Sequence, residues 1–446
     1  MMVMTVMLAL TWVPVAFGAV SPEEAAKLGS TLTGVGAEMA GNKEGTIPPY
    51  TGGLTKPPAS FKPGSGVYTD PFAGEKSIFS INAQNMAQYA DKLTEGTKAL
   101  MKRFPAYRID IYKTHRTVAF PDFVIKNTAK NALTAVTYNG GLSLKGAHAG
   151  VPFPIPKDGY EVMWNHLTRF HGQATERRAW GYFVDANGRM VLTGYTISWE
   201  ESPYYDEDIA RAGDTYWKIK AINIAPPRRV GENAMMIDAL NPYEKKRIAY
   251  QYLPGQRRVK LAPEIGFDTP NAYTAGNNSY DESWLFCGSM ERYNMKLIGK
   301  KEFYIPYNAY KLAFTGKKEE VFGPKFLNPD FIRWELHRMW VVEATLKPNF
   351  RHIYPKRRLY IDEDSWAALA NENYDAAGKL YKVNFSYQAP YYDVPAPSGD
   401  FCVFHNMSAG TYMGELWMGE GGYVRQVKMA PAREWAPGSL AGTGVR

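Results

Sequence analysis

The sequence predicts a mainly β (α+β) protein whose large, strongly curved antiparallel sheet forms an unclosed half-barrel with a few helices on its concave face. Three observations lead to this fold class. Aromatic residues make up 14% of the chain, including 30 Tyr, and such residues favour strands. Apolar and polar residues alternate with a period of two from Tyr107 to about residue 425. Tight turns separate these runs, and a sheet of so many strands must curl because its twist accumulates.

The expected strands follow one another at spacings of about ten residues, as in an antiparallel meander. The first covers residues 107–112. Residues 178–199 form a hairpin around Asn187-Gly188, which is the strongest short signal for a tight turn between two strands. Further strands are expected at residues 216–224, 233–239, 247–253, 257–261, 334–346, 351–361 and 378–387.

Helices are expected at three places outside the strand runs. The segment from Ser21 to about Leu28 begins with an N-cap residue, a proline and two glutamates, which is typical of a first helical turn. Residues 82–104 have apolar positions near one face of a helix, and a third helix is expected at about 159–170. The Gly- and Pro-rich stretch 41–74 is expected to be an ordered loop or wrapping arm.

Residues 1–18 have the features of a cleaved signal peptide. An apolar run precedes Ala16-Phe17-Gly18, whose small residues predict cleavage after Gly18. The run is shorter than the roughly 20 residues that a membrane span requires. No Lys or Arg precedes it, which leaves open a start codon further upstream. No cysteine lies beside the cleavage site, so we expect a periplasmic protein without a lipid anchor.

The mature chain is expected to be one continuous domain. Residues 19–106 would form an N-terminal loop, arm and helix region, and residues 107–446 would form the large sheet. No linker of low complexity divides the two regions, and the alternation of apolar and polar residues continues without a break.

Charge and cysteine content narrow the function classes. The net charge is +8, but the basic residues form short, scattered clusters. Such clusters are typical of solvated sheet faces, so we expect no nucleic-acid partner. The two cysteines, Cys287 and Cys402, permit one disulfide in an oxidising compartment, and the alternative is two buried thiols. They lack the close spacing of a metal site.

One dense group of residues is a candidate for a ligand cavity or for a structural corner beside it. It comprises Pro152, Phe153, Pro154, Ile155, Pro156, Trp164, Asn165, His166 and Arg169. The alternate prolines hold the chain extended and remove backbone donors, and Asn165 and His166 are suited to bind the backbone groups left over. His166 and His171 are five residues apart, about 140° apart on a helix, so they are not expected to bind a metal ion.

Enzymatic signatures are missing from the sequence, and no cofactor or catalytic residue is expected. The chain contains neither a Gly-x-Ser-x-Gly nucleophile motif nor a phosphate-binding loop. Gly34-Val35-Gly36 lacks the third glycine of a dinucleotide site. Carboxylates such as Glu335, Glu343 and Asp362 lie on or near strands that also carry Arg and His, so cross-strand pairing is their expected role. Carboxylate pairs across a sheet cannot be recognised from sequence, which leaves a hydrolase open.

Several segments resemble a family of exported bacterial proteins of unknown function that are described as outer-membrane lipoprotein-sorting-like. Their fold is similar to that of the periplasmic lipoprotein carriers LolA and LolB and the lipid-binding lipoprotein LppX. The matching segments are LTGVGAE (32–38), GNKEGTIP (41–48), PFPIP through WNH (152–166), YLPGQRRV (252–259), GKKE to PYN (299–308) and RMWVVE (338–343). They occur in order along nearly the whole mature chain.

The resemblance implies an unclosed, curved sheet that holds acyl chains or another hydrophobic molecule. It also implies a partner such as an RND-type envelope transporter or an outer-membrane protein. The chain is about twice as long as a simple carrier of this fold, so its cavity and partners could differ from theirs. The first hypothesis is therefore a periplasmic carrier of lipids or similarly apolar molecules, without catalysis. The alternatives are a structural adaptor of a transport complex that binds no ligand, and an envelope lipid hydrolase.

Overall fold

A computed structural model describes residues 19–398 and 400–443, so the predicted signal peptide lies outside the described residues. Most of the regular structure is strand. The strands are β1 Phe79–Asn82, β2 Arg108–Ile111, β3 Val136–Tyr138, β4 Ser143–Lys145, β5 Ala174–Val184, β6 Met190–Glu201, β7 Thr215–Ala225, β8 Asn233–Ala239, β9 Ile248–Leu253, β10 Arg258–Leu261, β11 Tyr293–Pro306, β12 Trp334–Leu346, β13 Lys356–Asp362, β14 Ala368–Tyr374, β15 Leu380–Tyr387, β16 Phe401–Asn406, β17 Thr411–Trp417 and β18 Tyr423–Gln426.

Sixteen of these strands form one large unclosed sheet, which confirms the predicted fold class. Its order is β1-β2-β12-β13-β14-β15-β16-β17-β5-β6-β7-β8-β9-β10, with β11 beside β12 and β18 beside β5, while β3 and β4 pair separately. Two meanders, β5–β10 and β12–β17, meet where β17 pairs with β5. All described pairs are antiparallel except for one bridge between β2 and β12, where Trp334 lies opposite Ile111.

The sheet curls strongly around a short inner segment, residues 271–286. Glu282 in this segment accepts a hydrogen bond from Asn373 of β14 at 3.0 Å, and the ring of Trp284 lies 5.6 Å from that of Trp217 of β7. These strands are six steps apart in the sheet order, a distance of about 29 Å if the sheet were flat. Two residues this close in the chain reach both strands only because the sheet bends around them. The face toward the inner segment is therefore the concave face.

In the described part of the chain, eight α-helices accompany the sheet. They are α1 Pro22–Ala25, α2 Glu95–Arg103, α3 Asp122–Thr134, α4 Gly159–Leu167, α5 Ile209–Ala212, α6 Tyr310–Phe314, α7 Lys318–Val321 and α8 Ser439–Thr443. Helix α4 lies on the concave side, where His166 contacts the inner segment through the carbonyl of Phe286. Among the described residues, no helix has the length and apolar character to cross a membrane.

The helix expected over residues 82–104 is shorter than predicted and lies on the other face. Residues 79–82 form β1, a 3₁₀ helix occupies Met86–Lys92, and α2 begins only after the N-cap Thr94. The amide of Gly96 donates to Glu372 of β14 at 2.6 Å. Neighbouring residues of a strand point to opposite faces, and the next residue, Asn373, contacts the inner segment. Helix α2 therefore packs on the convex face.

The two cysteines are buried thiols in the structure and are not bonded to each other. The sulfur of Cys287 accepts a hydrogen bond from Arg247 at 3.2 Å, and Cys402 has a side-chain hydrogen bond with Ser386. Burial raises the pKa of Cys287 to about 11 and also raises the pKa of Cys402. Each thiol has a local polar partner, and the disulfide that the sequence permits is not formed.

Candidate functional site

A pocket with a cavity volume of about 80 Å³ lies between the concave face and the inner segment. We call it the concave pocket. Its floor is formed by β5, β6, β7, β8 and β17, and its roof includes Asn271, Tyr273 and Trp284. This volume is below the roughly 300–1,000 Å³ of typical small-molecule sites in proteins, so a ligand of that size fits only if side chains of the pocket move.

The pocket exists because small side chains line up across four neighbouring strands. Gly181 lies directly opposite Gly194, and Ala221 lies between Ser198 on one side and Ala234 on the other. These residues belong to a larger set of small lining residues, Ala179, Gly181, Gly194, Thr196, Ser198, Ala221 and Ala234. In a closely packed protein interior, bulky side chains at such positions would fill the space between the sheet and the roof. Here the backbone of the sheet itself forms much of the floor.

The walls of the pocket are apolar and include flexible side chains. They are formed by Ile219, Met236, Met413, Leu416 and Trp284. Methionine is unbranched and polarizable, so it adapts to ligands of different shape. Trp284 has a left-handed backbone with φ of +50°, and the next residue, Leu285, has φ of +70°. Bulky residues rarely adopt this conformation, which here places the indole at the pocket roof.

Glu415 is the only charged side chain that lines the concave pocket in the described part of the chain. It accepts hydrogen bonds from the side-chain amides of Asn278 at 3.0 Å and Asn271 at 3.5 Å. Burial raises the pKa of Glu415 to about 7, although the two asparagines oppose this shift. A carboxyl group is therefore held at the pocket wall close to its midpoint of ionisation at neutral pH.

The inner segment is fixed by buried charges on the concave face. Asp281 accepts from Arg357 of β13 at 2.8 Å and lies 2.9 Å from a ring nitrogen of His352. Glu282 forms an ion pair with Lys382 of β15 at 3.0 Å. Together with Asn373 of β14, these contacts hold two adjacent acids against three strands. This anchor sets the height of the pocket roof. This anchor could not be predicted from the sequence, because its members come from distant parts of the chain.

The proline-rich group forms a buried turn against α4. The side chain of Asn165 accepts from the amide of Phe153 at 2.9 Å and donates to its carbonyl at 2.7 Å. Pro152, Phe153 and Pro154 are buried, as is Pro156, whereas Ile155 is partly exposed. Trp164 donates to the carbonyl of Gly141 at 2.9 Å. These residues do not line the concave pocket, and their role as a structural corner stays a prediction.

His166 and Arg169 lie near the roof of the pocket. Nε2 of His166 donates to the carbonyl of Phe286 at 3.0 Å, and its Nδ1 accepts from the amide of Ala368 at 3.1 Å. Arg169 donates to the carbonyl of His166 at 2.8 Å and lies beside a small cleft that also contains Trp284. The imidazole therefore ties α4 to the inner segment and to the turn before β14.

We expect His166→Ala to lower the free energy of unfolding by about 1–3 kcal/mol, because it leaves two buried backbone groups without partners. Burial and Arg169 lower the pKa of His166 to about 3, below the value of about 6.5 in an unfolded chain. The folded state then binds fewer protons, so this group costs stability as the pH falls below about 6.5. Urea unfolding at pH 7.5 and 5.0 should show a smaller acid-induced loss in the variant.

Ligand binding by His166→Ala should fall at most in proportion to its stability. A fully stable variant that has lost a hydrolytic activity would instead identify this segment as an active site.

Carboxylates near the start of β12 and the end of β13 have mixed roles. Glu343 pairs with Arg358 directly across the strands at 2.7 Å, as expected. Glu335 is bonded to Arg333 and His337. Asp362 instead accepts from Tyr307 at 3.1 Å and from Ser365 at 2.6 Å. Cross-strand pairing with a cation therefore holds for one of these three acids, Glu343, because the cationic partners of Glu335 lie two residues away along the chain.

One cluster in the described residues has donor atoms close enough for a metal ion. His337, Asp362 and Asp364 place one donor atom each within 4.8 Å of one another, and all three are buried. Both oxygens of Asp364, however, accept from the guanidinium of Arg116 at 2.6 and 2.9 Å. Burial and the neighbouring Asp364 raise the pKa of Asp362 to about 6. A fixed guanidinium neutralises Asp364, so the cluster fits a buried ion network better than a metal site.

A family model for a protein of unknown function, DUF1329, matches residues 80–441. The chain belongs to the DUF1329 family. The matched range contains every strand of the large sheet from Ser80 onward and all residues that line the concave pocket. The uncharacterized protein PA3922 of Pseudomonas aeruginosa is 38% identical over 432 residues, which cover 96% of this chain and 95% of that protein.

Solved structures show partial similarity to this DUF1329 protein. A putative outer membrane lipoprotein-sorting protein domain from Vibrio parahaemolyticus has a TM-score of 0.44 and 14% identity, over 64% of this chain and 98% of that one. A DUF1329 family protein from Desulfovibrio piger has a TM-score of 0.42 and 14% identity, over 60% and 92%. A LolA superfamily protein from Nitrosomonas europaea has a TM-score of 0.36 and 10% identity, over 63% and 98%.

Proposed function

We propose that this protein binds a hydrophobic molecule in the concave pocket and acts as a periplasmic carrier for it. The observation that carries the proposal is the alignment of small residues across β5–β8 beneath an anchored roof, which leaves apolar space where a sheet of this kind would otherwise be packed. Each CH₂ group of an acyl chain buried there contributes about 0.8 kcal/mol, so an alkyl chain binds without many polar contacts.

Chemistry at the pocket favours binding over catalysis. Among the described residues that line it there is no histidine, cysteine or lysine, and Glu415 is the only carboxyl group. The floor has two hydroxyl groups, those of Thr196 and Ser198. In the described part of the chain, neither has a basic partner within hydrogen-bond distance. A nucleophile needs such a base to become reactive. We therefore propose no reaction.

The proposal also includes the cellular location of the protein. The apolar N-terminal run and Ala16-Phe17-Gly18 support export with cleavage after Gly18. The resemblance stated above supports a partner such as an RND-type transporter or an outer-membrane protein. A carrier of this kind would pass its ligand to that partner through the mouth of the pocket.

Titration with an uncharged hydrophobic fluorophore, N-phenyl-1-naphthylamine, tests the proposal. The protein is first delipidated by hydrophobic exchange and its folding is checked by thermal melting. We expect saturable binding of one or two molecules per chain, with a micromolar or lower Kd and a matching stoichiometry in native mass spectrometry. Fluorescence that rises linearly without saturation would count against a carrier and favour the adaptor alternative.

A further inference from the structure

Two buried polar side chains, one at the pocket floor and one beside it, have no hydrogen-bond partner among the described residues. The hydroxyl of Ser198, which lines the pocket, has none, and neither does either end of the Asn223 amide. Ser198 is 3% exposed and Asn223 is fully buried. Buried polar groups are nearly always hydrogen-bonded in native proteins. Because Ser198 lines the pocket, a ligand bound there can supply the missing partner of its hydroxyl.

These two side chains lie close together on the concave face. Asn223 of β7 is opposite Thr196 of β6, and Ser198 follows two residues later on the same face. Such diagonal neighbours are about 7 Å apart. The Asn223 oxygen also reaches the pocket floor at Gly194, where an added Cβ would lie only 3.1 Å from it. The amide can donate and accept, and so can the hydroxyl.

The charges around the pocket disfavour an anionic ligand. Glu415 is the single charged lining residue, and it is an acid. Arg177 lies opposite Ser198 on β5, but its guanidinium is bonded to Asp400 at 2.8 Å and to Glu200 at 3.4 Å. Two carboxylates therefore compensate this cation. An added carboxylate or phosphate would meet uncompensated negative charge at Glu415 in an environment that water hardly reaches.

We infer that the concave pocket is selective for uncharged amphiphiles, whose hydroxyl or amide group binds the Ser198 hydroxyl, next to Asn223, while the alkyl part lies against the apolar walls. This inference rests on the proposed function, because it names the class of ligand for the same pocket. Anionic lipids and fatty acids bind more weakly than neutral amphiphiles of equal chain length.

Competition against N-phenyl-1-naphthylamine at pH 8.0 tests the inference with two ligands that share a twelve-carbon chain, dodecan-1-ol and laurate. We expect the Kd of laurate to be at least tenfold higher than that of dodecan-1-ol. Ser198→Ala should raise the Kd of dodecan-1-ol about fivefold, the effect of losing one hydrogen bond. Glu415→Gln should reduce the discrimination against laurate by at least fivefold. Ser408→Ala, at an exposed turn between β16 and β17, is the matched control and should leave both Kd values unchanged.

The outcomes separate this inference from the proposed function. In one outcome, the fluorophore binds saturably while the two competitors have equal Kd values or laurate binds more tightly. That result would overturn the selectivity but would still support a carrier function. A wild-type protein that binds neither the fluorophore nor the competitors would refute the carrier itself. Thermal melting of each variant shows whether a lost affinity reflects a lost fold.

Discussion

Replacing Ala221 by tryptophan is expected to raise the Kd for a hydrophobic ligand at least thirtyfold without unfolding the protein. Ala221 lies on β7 in the middle of the row of small residues, between Ser198 and Ala234. An indole at this position would occupy the space that the ligand's alkyl chain needs, and each displaced CH₂ group costs about 0.8 kcal/mol of binding free energy. Fluorophore titration measures the loss of affinity.

The control is Ala376→Trp, which makes the same substitution at an exposed turn between β14 and β15. It should bind the fluorophore like the wild type. Unchanged ligand affinity in a folded Ala221→Trp protein would show that the ligand binds elsewhere.

Replacing Arg357 by methionine is expected to lower the free energy of unfolding by about 3–5 kcal/mol at pH 7, because it leaves the buried carboxylate of Asp281 without its cation. Arg357 is fully buried and also donates to the carbonyl of Leu285 at 3.1 Å. Denaturation with urea, followed by tryptophan fluorescence, measures the change. The same variant should weaken ligand binding, because the pocket roof loses its anchor to β13.

The pH dependence distinguishes this explanation from a simple loss of packing. Burial alone would raise the pKa of Asp281, but Arg357 and His352 hold it well below its usual range. The ion pair therefore stabilises the fold above the unfolded pKa of about 3.9, and this contribution disappears as the pH falls through the lower folded pKa. In the variant, burial raises the pKa of Asp281, so the difference between wild type and Arg357→Met should begin to shrink above about pH 4 and continue to shrink as the pH falls further.

The double variant Arg357→Met with Asp281→Asn is the control for the charge. It should recover part of the lost stability, since no uncompensated carboxylate remains. A single variant that loses less than about 1 kcal/mol at pH 7, with no pH dependence, would contradict the role of this ion pair.

The sequence analysis located some strands to the residue. The predicted bounds 233–239 and 334–346 coincide with β8 and β12. Strand β14, in contrast, was missed because all seven of its residues are buried, between the inner segment on one face and α2 on the other. A strand covered on both faces has no alternation to detect. The strand expected at 351–361 begins later, at Lys356.

The errors among helices have local physical causes. The apolar positions between residues 82 and 104 fit one helix, but Thr94 caps a new helix through its side chain and interrupts the run. Helix α3 was missed, although it has thirteen residues. Its apolar positions are few, and only Val124, Thr128, Asn131 and Ala132 are buried.

The candidate site could be predicted only in outline. The long strand run implied a curled sheet with a concave face, and the structure has that face. Its surface was expected to be apolar, but β13 and β15 hold buried ion pairs there. The pocket itself depends on glycines and alanines from β5 to β8 that meet only through strand register, and on a roof from residues 271–286, which have no regular period. Glu415 lies on β17, which pairs with β16 and is distant in the chain from Asn278. The contact between these two residues could therefore not be predicted from the sequence.

Native mass spectrometry of the protein purified from the periplasm of its own host tests the central claim most directly. We expect the wild type to carry a copurified molecule of a few hundred daltons that is released by organic solvent, and Ala221→Trp purified in parallel to lack it. A wild-type protein that carries no adduct, and that also fails to bind hydrophobic ligands saturably after purification, would contradict a carrier function for the concave pocket.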